Sequence, residues 1–241
     1  MMNDTIRLNA SHVRMIAHRG LSGIELENTN SAFVAAGNRS YFGIETDVHI
    51  TADGQFVIIH DDNTKRVAQD EMIVEKTTFE TLRAIRLVDK DGRKGRYDLI
   101  MPSLAEYISI CKKYDKDAVL ELKNHFKPEH IYQIVDIIRG IGWLDRTIFI
   151  SFDLSNMICI REHLPNQRAQ FLISEQTDWL VDTLQKHRLD LDIHHAAVTP
   201  ELVHALHEAG LEVNVWTVDT LEDARRVIEC GVDYITSNIL E

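Results

Sequence analysis

The sequence is poor in three features that would mark particular protein classes: cysteine, long apolar runs and net positive charge. Its three cysteines, Cys111, Cys159 and Cys230, are widely spaced and form no Cys-x-x-Cys pattern, so neither a disulfide framework nor a zinc site is indicated. Residues 1–10 contain no continuous apolar segment of the kind found in secretion signals, and no run approaches the length of a membrane span. We therefore expect a soluble, cytoplasmic protein with reduced thiols and no membrane anchor.

Acidic residues outnumber basic ones, 38 Asp and Glu against 26 Lys and Arg, which gives a formal net charge of −12. Such a charge argues against non-specific binding of nucleic acid or of anionic membranes. We expect a small-molecule partner, and a small anionic substrate would need a locally positive pocket. The length of 241 residues is typical of one (β/α)₈ barrel, so residues 1–241 are predicted to form a single domain. The oligomeric state stays open.

Short β-rich runs alternate with amphipathic stretches along the chain, a pattern that predicts a parallel sheet and an α/β, TIM-barrel architecture. The predicted strands lie near residues 13–17, 43–48, 118–123, 147–152, 169–173, 190–195, 212–218 and 233–236. The predicted helices lie near residues 30–41, 103–115, 128–140, 154–163, 176–187, 200–209 and 220–230. Because the chain ends directly after the eighth strand, we expect no eighth full helix there.

Two departures from a plain barrel are predicted. The segment Thr51–Gly54 is too short for a crossover helix, so residues 55–60 should form an extra strand that returns antiparallel to the second one. The charged, turn-rich segment 61–101 is only partly periodic, and we interpret it as a small insertion over the mouth of the barrel. In this interpretation His60 projects at the rim, and Asp61 is a turn residue.

Polar residues occupy strands that should be buried. Since side chains of a strand alternate, Glu45 and Asp47 share one face of the second strand, and Glu121 and Lys123 share one face of the third. Both faces of a parallel strand are covered, and burying like charges together costs several kcal/mol each unless a cation compensates. The three acids therefore predict a metal site, and their all-oxygen donor set favours Mg²⁺, Ca²⁺ or Mn²⁺ over zinc.

A series of motifs resembles, in order and spacing, the glycerophosphodiester phosphodiesterase family. The matching segments are HRG at 18–20, ENT at 27–29, GIETDV at 43–48, TADG at 51–54, VIIHD at 57–61, PSLAE at 102–106, LELK at 120–123, SF at 151–152, WTV at 216–218 and the segment 231–236. HRG alone would be a weak signal, but the ordered set covers nearly the whole chain. Two departures are Leu26, where proline is common, and Asp219, where asparagine is common.

The resemblance implies a (β/α)₈ barrel that uses one divalent cation to hydrolyse glycerophosphodiesters to sn-glycerol 3-phosphate and an alcohol. Carried over residue by residue, it implies that His18 and His60 are the acid–base pair. It implies that Glu45, Asp47 and Glu121 are metal ligands, and that Arg19 and Lys123 bind the phosphate. Trp216 is either a wall for the glycerol group or a core aromatic. Glu27 either reaches the metal or orients His18, and we favour the orienting role.

Several alternatives stay open at this point. We favour His18 as base and His60 as acid, and the attacking group is either water or the glycerol 2-hydroxyl, which would form a cyclic phosphate first. A related barrel phosphodiesterase could release a cyclic phosphate from a phospholipid or lysophospholipid. A binding protein without activity is disfavoured, because all seven proposed polar groups are present.

Overall fold

A computed structural model describes residues 4–8 and 12–241. The expectation about residues 1–10 therefore falls partly outside the described residues. The strands are β1 (Arg14–Ala17), β2 (Gly43–Ile50), β3 (Phe56–Ile58), β4 (Asp117–Leu122), β5 (Thr147–Ser151), β6 (Arg168–Ile173), β7 (Asp190–His194), β8 (Val213–Trp216) and β9 (Tyr234–Ser237). All strands except β3 are parallel, and they close into a barrel in the order β1, β2, β4, β5, β6, β7, β8, β9, with β9 paired to β1. The predicted (β/α)₈ TIM barrel is confirmed.

The helices surround this barrel. They are α1 (Asn30–Gly37), α2 (Phe79–Ala84), α3 (Leu104–Lys113), α4 (Pro128–Ile141), α5 (Leu154–His163), α6 (Leu180–His187), α7 (Pro200–Glu208) and α8 (Leu221–Glu229). Start signals in the sequence are realised: Ser103 and Glu106 form a reciprocal capping box, and the Thr199 side chain caps the helix that begins at Pro200. Within the described part of the chain no helix follows β9, and none has the length and apolar character needed to traverse a bilayer.

Strand alternation separates two apolar regions. Leu120 and Leu122 of β4 point outward and pack in the large core beneath the helices. Val119, on the opposite face of β4, packs inside the barrel with apolar side chains of other strands. Glu121 shares this inward face, as the period-two pattern predicts. The covered faces of the parallel strands therefore leave the interior acids no route to bulk solvent except through the mouth.

The extra strand β3 pairs antiparallel with β2, as predicted, but it is shorter than the predicted 55–60: it ends at Ile58, opposite Val48, and His60 lies in the loop that follows. The turn between them uses Gly54 at a φ of 75°, a backbone conformation that favours glycine. The segment 61–101 folds beside this hairpin around a small separate core that includes Val57, Val74 and Leu82. It contains one helix that the sequence did not predict, α2, whose first turn is capped by the Thr78 side chain.

Two predicted helices are shorter than expected. The helix predicted over 30–41 ends at Gly37, where the Asn38 backbone N–H closes the last turn, and the helix predicted over 176–187 begins only at Leu180. Neither difference moves a strand end. The site residues depend on the strand ends and on the loops that follow them, and these lie where the alternation places them.

Candidate active site

The three predicted acids converge at the carboxyl end of the barrel. Glu45 and Asp47 project inward from β2, and Asp47 is the register neighbour of Glu121 on β4. One oxygen from each carboxylate lies within 4.8 Å of the corresponding oxygens of the other two. All three residues are buried. The fold therefore places three carboxylates from two strands in one small volume with little access to water.

Two cations border this carboxylate cluster. The backbone N–H of Arg19 donates to Glu45 Oε2 at 2.8 Å, and its guanidinium Nε lies 3.5 Å from Asp47 Oδ2. On the other side, Lys123 Nζ donates to Glu121 Oε1 at 2.8 Å and lies 3.5 Å from Asp47 Oδ1. Arg19 and Lys123 thus approach different oxygens of Asp47.

The acids differ in their proton affinity. Burial raises the pKa of Glu45 well above its usual value, and the charges of Asp47 and Glu121 add to the shift. Burial, followed by the charge of Asp47, raises the pKa of Glu121 to about 8. Burial acts in the same direction on Asp47, but Arg19 and Lys123 outweigh it and hold the pKa of this carboxyl below its usual range. Without further positive charge, the three carboxylates cannot all ionise cheaply at neutral pH.

The donor set fits a hard divalent cation. All three side chains offer carboxylate oxygens, the ligands that Mg²⁺ and Ca²⁺ prefer. Asn28 Nδ2 donates to Asp47 Oδ2 at 2.7 Å and fixes the orientation of that carboxylate. The other oxygen, Asp47 Oδ1, is buried and forms no hydrogen bond with any residue that the structure describes. A bound cation stabilises a buried carboxylate oxygen that has no hydrogen bond.

A tight turn presents His18 and Arg19. Gly20 has a φ of 76°, and a Cβ atom at this position would lie 2.7 Å from the Ala32 backbone. The HRG motif therefore needs glycine at its third position, because α1 packs directly against the turn. Arg19 itself has a φ of 53°, a left-handed conformation that is uncommon outside glycine and that the N–H bond to Glu45 helps to hold.

His18 is oriented by a residue that lies 220 positions away in the sequence. Its Nδ1 pairs with Asn238 Oδ1 at 2.8 Å, and Ser22 Oγ donates to the same amide oxygen at 2.6 Å. Because Asn238 Nδ2 donates to Asp219 Oδ2 at 2.6 Å, the amide oxygen is the atom that faces His18. An amide oxygen only accepts, so His18 Nδ1 carries the proton and donates. Its Nε2 lies 3.9 Å from Glu45 Oε2.

His60 has a different partner. Its Nδ1 lies 2.6 Å from Asp61 Oδ1, so the interpretation of Asp61 as only a turn residue is wrong. Arg66 donates two hydrogen bonds to Asp61 and two to Glu27. Glu27 in turn accepts from Arg19 Nη1 at 2.9 Å. The hydrogen bonds of Glu27 therefore join two arginines rather than orient His18, and one of these arginines comes from the segment 61–101.

Burial shifts both imidazoles toward the neutral form. It lowers the pKa of His18 to about 4, with a further contribution from the Arg19 charge. Burial also lowers the pKa of His60, while the charge of Asp47 and the hydrogen bond to Asp61 act in the opposite direction. The two histidines thus share a ring type but differ in their Nδ1 partner, an amide for one and a carboxylate for the other.

Most of the predicted side chains, though not Asp47 or Glu27, line one cavity of about 180 Å³. Its walls include His18, Arg19, Glu45, His60, Glu121, Lys123, Ile150, Phe152, Leu172, Asp192, Trp216 and Thr236. Trp216 is therefore a cavity wall, with Phe152 packed edge-on against it at 5.6 Å between ring centroids. None of the described lining residues falls in 61–101, which reaches the site through Asp61 and Arg66.

Sequence reasoning missed several residues of this site. Asn28 lay inside the ENT motif, but nothing in the sequence showed that it would hold Asp47. Asn238 and Asp219 carried no signal beyond the unusual aspartate after WTV. Asp192 had a signal that was not used: it follows Asp190 at the same spacing as Asp47 follows Glu45, which places both acids on the inward face of β7.

Comparisons with known proteins agree with this geometry. A family model described as the glycerophosphoryl diester phosphodiesterase family matches residues 18–240. A glycerophosphodiester phosphodiesterase of Caldanaerobacter subterraneus subsp. tengcongensis is 29% identical over 228 residues, which cover 93% of each protein. An Oleispira antarctica phosphodiesterase, solved in complex with the product sn-glycerol-3-phosphate, has a TM-score of 0.85 at 26% identity, over 93% of this chain and 92% of that one. A glycerophosphodiester phosphodiesterase from Thermotoga maritima has a TM-score of 0.77 at 25% identity, over 95% and 96%. The chain therefore belongs to the glycerophosphoryl diester phosphodiesterase family and is an enzyme that hydrolyses glycerophosphodiesters.

Proposed function

We propose that the enzyme cleaves glycerophosphodiesters to sn-glycerol 3-phosphate and an alcohol, with one divalent cation held by Glu45, Asp47 and Glu121. His18 and His60 are the proposed acid–base pair. The observation that carries this proposal is that both imidazoles line one cavity together with Glu45 and Glu121, which form the carboxylate cluster with Asp47. The Oleispira antarctica phosphodiesterase, which binds sn-glycerol-3-phosphate as its product, supports the assignment of the products.

The charges of the proposed complex balance. Three carboxylates contribute −3, a divalent cation +2, the phosphodiester −1, and Arg19 and Lys123 together +2, so the net charge is zero. When bound, the cation supplies Lewis acidity to the phosphoryl oxygens. Arg19 and Lys123 bind the phosphate and stabilise the negative charge that grows on it in the transition state. Mg²⁺ and Ca²⁺ are the preferred candidates for the cation, and Mn²⁺ is the third.

The hydrogen bonds of the two imidazoles support distinct roles. His18 donates its Nδ1 proton to Asn238, which leaves Nε2 with a lone pair toward the cavity, as a general base requires. His60 is paired through Nδ1 with the carboxylate of Asp61, which offsets part of the lowering of its pKa by burial and so favours the protonated ring that donates from Nε2. His18 takes the proton of the attacking hydroxyl, the P–O bond to the alcohol breaks, and His60 protonates the leaving oxygen.

The attacking hydroxyl is water or the glycerol 2-hydroxyl. Attack by the 2-hydroxyl gives a cyclic phosphate, which a second attack by water opens to sn-glycerol 3-phosphate. Each positioned proton transfer contributes about 10²- to 10⁴-fold to the rate. The two routes differ in whether a cyclic phosphate precedes the final product.

Product analysis after chelation tests the proposal. Phosphorus NMR follows glycerophosphocholine and glycerophosphoethanolamine with the enzyme as purified, after chelator treatment, and after addition of Mg²⁺, Ca²⁺ or Mn²⁺ in turn. We expect sn-glycerol 3-phosphate as the end product, loss of turnover on chelation, and recovery with at least one of the three ions. Full turnover after chelation would refute the metal role. Cyclic phosphate as the end product would favour the phospholipase-type alternative, and binding without turnover would favour the binding-protein alternative.

A further inference from the structure

Asp192 is a cavity residue that none of the proposed steps uses. It lies on β7, on the face that points into the barrel, and only 2% of its surface is exposed. Its side chain lines the cavity that contains His18 and His60. Its Oδ1 atom is buried and has no hydrogen-bond partner within residues 4–8 and 12–241. A buried carboxyl oxygen without a partner destabilises the fold, so its presence calls for a functional explanation.

Other buried polar side chains next to Asp192 do have hydrogen-bond partners. Its register neighbour on β8 is Asn214, which is fully buried. Asn214 donates to Gln170 Oε1 at 3.2 Å and accepts from Thr236 Oγ1 at 3.2 Å. The same layer of the barrel therefore satisfies one polar side chain with two partners and leaves Asp192 Oδ1 with none. The unpaired oxygen is a local property of the cavity wall.

Asp192 faces the carboxylate cluster from across the barrel. In the closed strand order, β7 is four strands from β2 in either direction, so Asp192 stands opposite the strand that carries Glu45 and Asp47. The group of acids that share a 4.8 Å neighbourhood consists of Glu45, Asp47 and Glu121 and does not include Asp192. Asp192 is therefore not a fourth member of the candidate metal site.

The charged side chains of the cavity differ between its two walls. Arg19 and Lys123, the cations that would hold a phosphate, lie beside the acid cluster. A carboxyl group on the opposite wall does not attract a phosphate, and it binds a neutral hydroxyl well. Burial raises the pKa of Asp192 well above its usual range, and the charge of Glu121 adds to this shift. A protonated carboxyl offers both an O–H donor and a C=O acceptor, which suits an alcohol.

Size and neighbouring groups narrow the ligand further. The cavity of about 180 Å³ has room for several water molecules and suits a short carbon chain. Leu172 is the register neighbour of Asp192 on β6 and lines the cavity together with Ile150, and both are nearly fully buried. Trp216 Nε1 is also buried and has no acceptor among the described side chains and backbone. A donor, an acceptor and apolar walls together match a short hydroxylated chain.

We infer that Asp192 is a specificity-determining residue that hydrogen-bonds a hydroxyl of the substrate's glycerol group, with Trp216 as the adjacent wall. This inference rests on the proposed function, since it names the part of the substrate that enters the deep end of the cavity. The variable alcohol then leaves through the mouth, past His60 and the exposed Phe152. The subsite selects for glycerol and does not take part in proton transfer.

Binding of two small phosphates tests the inference without turnover. Calorimetry on the Mg²⁺- or Ca²⁺-loaded protein compares sn-glycerol 3-phosphate with n-propyl phosphate, which has the same chain length but no hydroxyls. We expect the wild type to prefer the glycerol compound by about 10- to 100-fold, since a buried acceptor is left unpaired by the analogue. Asp192→Leu should reduce this preference to less than about threefold and leave the affinity for n-propyl phosphate within about threefold of wild type. Asp192→Asn, which keeps an acceptor, should retain part of the preference.

The matched control is Asp190→Asn. Asp190 lies on the same face of the same strand but is not among the cavity-lining residues, and its Oδ1 accepts from the Glu212 backbone at 2.9 Å. This variant should keep the full preference. Asp192→Leu should also have a melting temperature at or above that of wild type, because it removes a buried unpaired carboxyl.

The outcomes separate this inference from the proposed function. A wild-type preference below about threefold, an unchanged preference in Asp192→Leu, or an equal loss of affinity for both compounds would overturn the inference. Turnover of glycerophosphocholine by the wild type tests the proposed function independently. An inactive wild type with an Asp192-dependent preference would refute the catalytic proposal and keep the hydroxyl subsite. An active wild-type enzyme whose preference does not depend on Asp192 would support the catalytic proposal and refute the hydroxyl subsite.

Discussion

The two ends of the barrel differ in how their charged side chains are paired. At the amino-terminal end of the strands, Asp117 is held by both Arg146 and Arg168, and Glu212 accepts from Arg14 at 2.6 Å and from the Tyr234 hydroxyl at 2.6 Å. At the carboxyl end, four buried side-chain atoms form no hydrogen bond with the described residues: Arg19 Nε, Asp47 Oδ1, Asp192 Oδ1 and Trp216 Nε1.

This difference separates stability from function. Ion pairs that the chain completes by itself need no ligand, so the amino-terminal end contributes to folding. Buried polar atoms that form no hydrogen bond cost free energy until a cation or substrate binds them. We therefore expect substitutions at the carboxyl end to change activity more than stability, and substitutions at the amino-terminal end to do the reverse.

The largest expected effect is on turnover at the carboxyl end. His18→Ala should lower kcat by about 10²- to 10⁴-fold, or roughly 3 to 5 kcal/mol of barrier, because the proposed base is lost. Its chemical denaturation midpoint should change little. The control is His204→Ala, an exposed histidine of α7, which should retain wild-type turnover. Near-normal turnover by well-folded His18→Ala would remove His18 from the mechanism.

A leaving group that needs no proton sharpens this prediction. With a p-nitrophenyl diester of glycerol phosphate, the deficit of His60→Ala should shrink relative to its deficit on glycerophosphocholine. The deficit of His18→Ala should persist, because the nucleophile still has to lose its proton. The opposite pattern would exchange the base and acid roles of the two histidines.

The next effect is the linkage between cation binding and pH. Because the pKa of Glu121 is raised to about 8 from 4.5, the cation-free folded protein holds an extra proton between these values. Its unfolding free energy should therefore fall as the pH rises through this range. A bound cation needs the carboxylate and releases that proton, so the rise in melting temperature on adding Mg²⁺ or Ca²⁺ should be larger near pH 8 than near pH 5.

At about 100 times its dissociation constant, the cation should add about 2.7 kcal/mol to the unfolding free energy. Differential scanning fluorimetry at both pH values measures this gain. Glu121→Gln should lose most of the gain, whereas Glu129→Gln, an exposed substitution on α4, should keep it. A gain that is the same at both pH values, or that survives in Glu121→Gln, would contradict the linkage.

The smallest expected effect belongs to the amino-terminal end. Asp117→Asn should lower the unfolding free energy by about 1 to 3 kcal/mol, less than for a fully buried pair because Arg146 and Arg168 are partly exposed. Its kcat/KM should stay within about twofold of wild type. Asp115→Asn is the matched control: it removes an exposed partner of the same Arg146 and should cost much less. A large loss of activity in folded Asp117→Asn would break the proposed division between the two ends.

Much of the fold was predictable because local signals agreed with the tertiary structure. Apolar alternation identified the strands, and cap residues such as Ser103 and Thr199 marked helix starts. The return strand β3 followed from the length of the loop at Thr51–Gly54 alone. The unpredicted helix α2 is short and lies in a charged segment, where the periodic signal is weak and stability comes from packing around Leu82.

The candidate site was predictable only in part. His18, Glu45, Asp47, His60 and Glu121 could be chosen because each ends or interrupts an apolar strand, and the structure brings them to one cavity or one acid cluster. Their partners could not be chosen. The contact between Asp61 and His60 was missed because an aspartate directly after a strand is typical of a turn. The contact between Glu27 and Arg66 depends on the fold of the segment 61–101, which the sequence pattern does not predict.

The sequence by itself determined which residues face inward, because strand periodicity is a local property of the backbone and the polar exceptions stand out against it. The tertiary structure decided which of those residues meet. Asn238 reaches His18 across 220 positions only because β9 closes on β1, and Asp192 faces the acid cluster only because the barrel places β7 opposite β2. Ring closure couples distant strands, and no local pattern encodes the pairing partner, the depth of burial or the missing hydrogen bond of a side chain.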